Sequence, residues 1–311
     1  NPNGKGYIAI AISNSRILGT LTISKRVLIH NDQFIDSFEI GDSYIKKGIY
    51  KYYKPENILE NRNSYINKSF FGRMVNDLLI KVPKNCLVYG TPNNESKNGY
   101  IKNLNFQLYK NAKVSNFVSL SLSRIFSKFG LEKLILFLKK ILLNITLKIL
   151  RLKLSNKIEN LDENLDLLKN ENKFMISGYF DPAYFKYRFI DQPKKKYEFL
   201  IIKNTNNKPK GIVVYKINKT PKNKNICVIV DIFSNYNFFS KSLLIFRLFY
   251  QDIVFGYSFW CNEKYKFKMN INGFIKYDRV PIIFYNIDKY RDAVMNNKVT
   301  LDFKVSSFDV V

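Results

Sequence analysis

The stretch "YGTPNNESKNGYIKNLNF" (Tyr89–Phe106) decides how this chain is read. It begins where an apolar strand pattern, "NCLVYG", runs into the turn residues Gly90, Thr91 and Pro92. An Asn pair, Asn93 and Asn94, is then followed at helical distance by Tyr100, and "LNF" closes the stretch. Turn, short helix and new strand are therefore packed into eighteen residues. An Asn-rich loop only turns the chain; this spacing also places a tyrosine.

Outward from this stretch, the N-terminal side alternates short apolar runs with turns. "GYIAIAIS" and "RILGTLTISKRVLI" read as strands joined by a polar turn at Asn14-Ser15, and "QFIDSFEIGDSYI" as a third strand. In "SFFGRMVNDLLIKV" the residues Phe70, Phe71, Met74, Val75, Leu78 and Leu79 recur with helical spacing. "KVSNFVSLSL" is the strand that follows the short helix.

Residues 129–170 read as a basic amphipathic linker. Leu131, Leu134, Ile135, Leu138, Leu142, Ile145 and Ile149 form one apolar stripe, flanked by Lys139, Lys140, Lys148, Arg151 and Lys153. The lysines interrupt the apolar run well short of the ~18 residues a spanning helix needs. Residues 131–153 then suit either an anionic membrane surface or a helix packed between two domains. From residue 171 the order of elements repeats: "YEFLIIKN", "GIVVYKI" and "ICVIVDIF" as strands, "SKSLLIFRLFYQDIV" as a helix, "GYSFWC" as a strand. A short helix, a "GF" turn and a last strand follow. "YIKNLNF" (100–106) is echoed by "FKMNINGF" (267–274), which points to duplication. The expected units are 1–128, the linker 129–170, and 171–311.

Composition narrows the chemistry. With 51 Lys+Arg against 25 Asp+Glu the net charge is +26, a field that attracts nucleic acid, acidic lipid or a polyphosphate cofactor. An AT-rich coding sequence would yield the same Lys- and Asn-rich balance. Aromatics make up 15% of the chain, in keeping with packed β-structure. His30 is the lone histidine, which leaves little room for Ser-His-Asp, Cys-His or histidine-metal mechanisms. Cys86, Cys227 and Cys261 are widely spaced and form no zinc pattern. The supplied start, Asn1, shows no signal peptide, and earlier elements of the first unit are expected to precede it, which leaves a leader open. The expected location is cytoplasmic, at the inner face of the membrane where 131–153 makes a peripheral contact.

The element order, together with "FEIGDSYI" (38–45), "NRNSYINKSFFGRMVNDLL" (61–79) and "NNESKNGYIKNLNF" (93–106), resembles the GNAT acyltransferase superfamily, and in particular members from bacterial surface-polysaccharide gene clusters. "NINGFIKYDRVPIIFY" (270–285) is similar to the end of another such unit. The resemblance implies an α/β fold with a mixed sheet, built as two tandem GNAT-like domains. It implies an acyl-CoA co-substrate, acetyl-CoA foremost. The phosphates would be held by backbone N–H groups at a helix N-terminus. That loop corresponds to "YINKSFFGRM", so Ile66, Asn67, Lys68, Ser69, Phe70 and Arg73, with Asn93, are the implied cofactor residues. Asn67 and Ser69 stand where the family has glycines. Glu39 and Asp42 are implied as base or amine-recognition groups; pairing of Glu39 with a neighbouring Lys is the alternative. Tyr100 is implied as the acid for the leaving thiolate. No phosphate loop is visible in the second unit, where "DIFSNYNFFSKSLLIFRL" stands in its place, and the lone tryptophan is expected in the core.

The implied activity is N-acyl transfer to an amine acceptor, such as an amino sugar or nucleotide sugar in surface-glycan synthesis. Two alternatives stand beside it: a catalytically degenerate scaffold held on a membrane through 131–153, and an aminoacyl-tRNA-dependent transferase, for which the positive charge would suit RNA.

Overall fold

The structure, a computed structural model, describes residues 4–30, 33–47, 70–121, 129–156, 175–178, 182–191, 196–219, 223–250, 256–262, 265–285 and 300–302. The first strand, β1 (Tyr7–Ser13), turns into β2 (Arg16–His30) at Asn14-Ser15. Both turn residues have positive φ, 48° and 59°, the geometry whose twist matches a tight hairpin. β3 (Gln33–Ile45) pairs antiparallel with β2. The helix α1 (Phe70–Leu79) buries Met74, Val75 and Leu78, the stripe expected from its spacing. β4 (Leu87–Gly90), α2 (Asn94–Asn103) and β5 (Gln107–Leu120) follow, so the deciding stretch is indeed strand end, short helix and strand start.

The long helix α3 (Glu132–Leu150) ends at Arg151 in the left-handed conformation (φ 51°). Next come β6 (Leu152–Ser155), β7 (Met175–Gly178) and a one-turn helix α4 (Pro182–Phe185) that runs into a π-helical turn, Lys186–Ile190. The remaining elements are β8 (Glu198–Asn204), β9 (Pro209–Lys219), β10 (Asn225–Ser234), α5 (Phe239–Phe249), β11 (Gly256–Asn262), α6 (Lys266–Ile271), β12 (Ile275–Tyr285) and β13 (Thr300–Asp302). The series β1-β2-β3-α1-β4-α2-β5 is repeated as β8-β9-β10-α5-β11-α6-β12. The two echoing segments occupy equivalent places, α2 to β5 and α6 to β12.

These strands form one continuous mixed sheet in the order β13-β7-β2-β3-β4-β12-β5-β11-β10-β9-β8-β6, with β1 beside β2. The halves exchange their last strands. β12 lies between β4 and β5, with Ile283 opposite Gly90, while β5 pairs antiparallel with β11, Val118 opposite Ser258. Each core therefore includes a residue from the other half. Ile283 is buried with Ile23, Ile40, Val75 and Tyr100; Phe117 is buried with Leu200, Ile229, Phe246 and Phe259. Ile201, Ile212, Val214 and Val230 alternate to the opposite face, under Tyr184, Phe185 and Phe189. Burial on both faces explains the unbroken apolar runs of β8, β9 and β10.

Only one side of α3 is covered. Leu143, Leu147 and Leu150 pack on the C-terminal core, while Leu134, Phe137, Leu138, Leu142, Ile145 and Ile149 are exposed. No helix among the described residues is long and apolar enough to cross a membrane. Trp260 in β11 is half-buried, less enclosed than the core position expected of it.

Candidate functional site

β3 and β4 run parallel, but only Ser37–Ile40 pair with Leu87–Gly90. Beyond that point β4 ends, and β3 continues to Ile45 against β2 alone on its paired edge. The strands part into a notch of about 140 Å³ lined by Gly41, Ser43, Gly90, Thr91, Asn93 and Tyr100, with Ile283 of β12 at its side. Glycine at position 90 is a steric necessity, since a Cβ there would stand 2.7 Å from the Ile40 carbonyl oxygen.

Tyr100 reaches the notch from α2. Its ring is clamped edge-on by Phe71 (5.0 Å between centroids) and Phe106 (4.9 Å), and the residue is only 4% exposed. Its hydroxyl makes no hydrogen bond among the described residues. Desolvation raises the phenol pKa well above its ordinary value, so the proton stays on through the neutral range. Asn93 caps α2: its Oδ1 accepts from the Ser96 N–H at 2.8 Å and from the Ser96 hydroxyl at 2.8 Å. Its amide Nδ2 makes no hydrogen bond among the described residues, although Asn93 lines the notch.

Glu39, Phe70 and Arg73 lie outside the wall of the notch. Glu39 is 4% exposed, and its Oε2 accepts from Arg26 Nε at 2.9 Å and lies 2.8 Å from Arg26 Nη2. An arginine, rather than the neighbouring Lys of the alternative reading, thus holds the carboxylate. Phe38 and Ile40 belong to the core around Tyr100, so strand alternation turns Glu39 to the opposite face of the sheet. Asp42 lies in β3 after the notch opens, and its side chain is outside the described residues. So are Ile66, Asn67, Lys68 and Ser69. Phe70 opens α1 with its ring over Gly19. Arg73 lines a separate groove of about 490 Å³ between β1 and α1, and is not a wall of the notch. Ser43, Thr91 and Ile283 had not been anticipated. Ser43 and Thr91 carry no pattern of their own, and Ile283 reaches the notch only because the strands exchange.

At the equivalent point in the C-terminal half, aromatic rings pack together. β10 and β11 pair in parallel over Ile226–Ile229 and Gly256–Phe259. Phe239 then stacks on Tyr265 (4.4 Å) and on Phe259 (6.1 Å). Asn235 accepts from the Phe238 N–H through its side chain and from the Phe239 N–H through its carbonyl, so these two N–H groups at the start of α5 are engaged. Asp231 is fully buried, its Oδ1 accepting from the Ile232 N–H at 2.6 Å. Among the described residues no cluster of His, Cys, Asp and Glu could hold a metal ion.

The overall fold has counterparts among solved structures. A conserved protein of unknown function from Enterococcus faecalis V583 matches with a TM-score of 0.53 at 11% identity, over 90% of this chain and 61% of that one. A GCN5-related N-acetyltransferase from Anabaena variabilis gives 0.55 at 9% identity, over 91% and 63%. Saccharomyces cerevisiae N-myristoyltransferase, solved with bound myristoyl-CoA, gives 0.54 at 9% identity, over 88% and 68%. The fold is that of the GNAT acyltransferases. This chain spans less than two thirds of the length of the first two counterparts. No protein-family model matches the sequence, and no curated protein does.

Proposed function

We propose that this chain is an N-acyltransferase that moves an acyl group, acetyl foremost, from coenzyme A to an amine. The supporting observation is the β3–β4 notch with Tyr100 in its wall, a residue whose hydroxyl has no hydrogen-bond partner among the described residues. The notch fits the narrow end of a thioester. It has a glycine, Gly90, where the Ile40 backbone approaches closely, a capped helix beside it and a phenol that keeps its proton. Tyr100 protonates the departing sulfur. The proton lost by the attacking amine passes to Asp42, or through water to Glu39 once its ion pair with Arg26 opens. Asn93 offers its free Nδ2 to the co-substrate, and the N–H groups of 66–70 with Lys68 take its phosphates; Arg73, facing the β1–α1 groove, would act only at longer range. The acceptor class follows the resemblance: an amino sugar or nucleotide sugar used in surface glycans.

Calorimetry with acetyl-CoA, then thiol release with a panel of amino sugars, tests this reading. Binding at micromolar to low millimolar concentration, lost in Gly90→Val, supports it. No binding at millimolar co-substrate overturns it. If glycosamines fail, aminoacyl-tRNA is the next donor to assay, with filter binding across salt as the readout.

A second reading rests on α3. Its exposed Leu134, Phe137, Leu138, Leu142 and Ile145, beside the exposed Lys133, Lys140 and Lys148, suit the surface of an anionic membrane. Flotation with anionic vesicles but not with neutral ones, weakened by salt, supports this contact. Equal recovery with both kinds overturns it.

A further inference from the structure

A larger cavity, about 960 Å³, opens at the other end of β12 from the notch. Ile275 and Tyr277 line it while Ile283 lines the notch, a separation of roughly 20 Å along an extended strand. It sits at the seam of the two halves, between the end of β5, the starts of β10 and β11, and the helices α3, α5 and α6. Leu244, Leu248, Ile271 and Ile275 provide apolar wall. The co-substrate site proposed at the notch shares none of these residues.

Two cations enter this apolar space from different helices. Lys139 comes from α3 and Arg247 from α5. Neither has a carboxylate partner among the described residues. Lys139 donates to the Tyr250 carbonyl, and Arg247 donates to the Asn272 carbonyl while lying over the rings of Tyr257 (5.6 Å) and Phe274 (5.3 Å). These contacts hold the cations in position without neutralising them. Burial, and then the nearby Arg247, bring the Lys139 pKa down to about 8. Half-buried like charges are costly unless an anion joins them.

We propose that this cavity binds an amphipathic anion: an alkyl chain lodged on the Leu244–Leu248 and Ile271–Ile275 walls, with a carboxylate or phosphate head between Lys139 and Arg247. The volume suits a medium-length chain, and paired charge-assisted hydrogen bonds hold the head. This site is independent of the acyl-transfer notch and of its chemistry.

Decanoate and decyl phosphate are titrated calorimetrically into the full chain, with decanol as the neutral comparator. Both anions are expected to bind, and decanol to bind about tenfold more weakly or worse. A preference between the two anions tells a free fatty acid from a phospholipid-type head. Lys139→Gln is expected to weaken the anions by about tenfold and leave decanol unchanged. Arg247→Lys, which keeps the charge, is expected to retain most of the affinity. Circular dichroism checks that each variant is folded. Equal affinity for decanol and the anions overturns the proposal. So does unchanged anion affinity in a folded Lys139→Gln protein, or no binding of any of the three.

Discussion

Tyr100 joins two requirements that oppose each other in an ordinary core. Its ring is enclosed by Phe71 and Phe106, yet the residue lines the notch and its hydroxyl has no partner among the described residues. Tyr100→Phe should therefore leave thermal stability nearly unchanged, because no hydrogen bond is lost. In the transfer assay it should lower turnover by about 10²-fold, the usual size of an acid–base contribution; unchanged turnover across pH would remove Tyr100 as the acid. The Arg26–Glu39 pair behaves in the opposite way. Both residues are buried, so Glu39→Leu alone should cost about 3–5 kcal/mol by stranding the guanidinium, and adding Arg26→Met should recover much of it. Denaturant melts of the two single variants and the double variant measure this coupling. Lys139 adds a pH dependence. Its pKa falls from 10.5 unfolded to about 8 folded, so between these values the unfolded state binds the extra proton. The stability of the wild type relative to Lys139→Gln should therefore be lowest below about pH 8 and rise as the pH climbs toward 10.5.

At the level of the element, local chemistry explains most of what forms. Asn14 and Ser15 both take positive φ in the β1–β2 turn, where glycine is favoured at the second position. Ser15→Gly should raise the unfolding free energy by several tenths to about 1 kcal/mol, read from denaturant midpoints. Asn93 starts α2 because its Oδ1 satisfies the Ser96 N–H. The short helix could be read from the Asn–Tyr spacing. Its place in the wall of the notch was less legible, because Asn93 also caps the helix through Oδ1, while its Nδ2 has no partner among the described residues. The stripe of α3 was visible as well, but periodicity could not say how much of it would be covered. Only Leu143, Leu147 and Leu150 pack on the C-terminal core, and a row of large apolar residues remains exposed.

For the whole molecule, the strand exchange sets the cooperative unit. With β12 between β4 and β5, and β5 beside β11, neither half has a complete sheet alone. A 1–128 fragment should lack a cooperative melt, and adding the 171–311 half should restore one only through association; an independently folded fragment would contradict this. The repeated order of elements, the hairpin turn, the amphipathic helices and the tyrosine after the Asn pair followed from the sequence by itself. They depend on spacing and side-chain type within a few residues. The splay after Gly90, the Arg26–Glu39 pair, the place of Ile283 beside the notch and the two cations in the seam cavity were decided only by tertiary structure. Each depends on which strand lies next to which, and strand exchange brings together residues nearly two hundred positions apart that no local pattern connects.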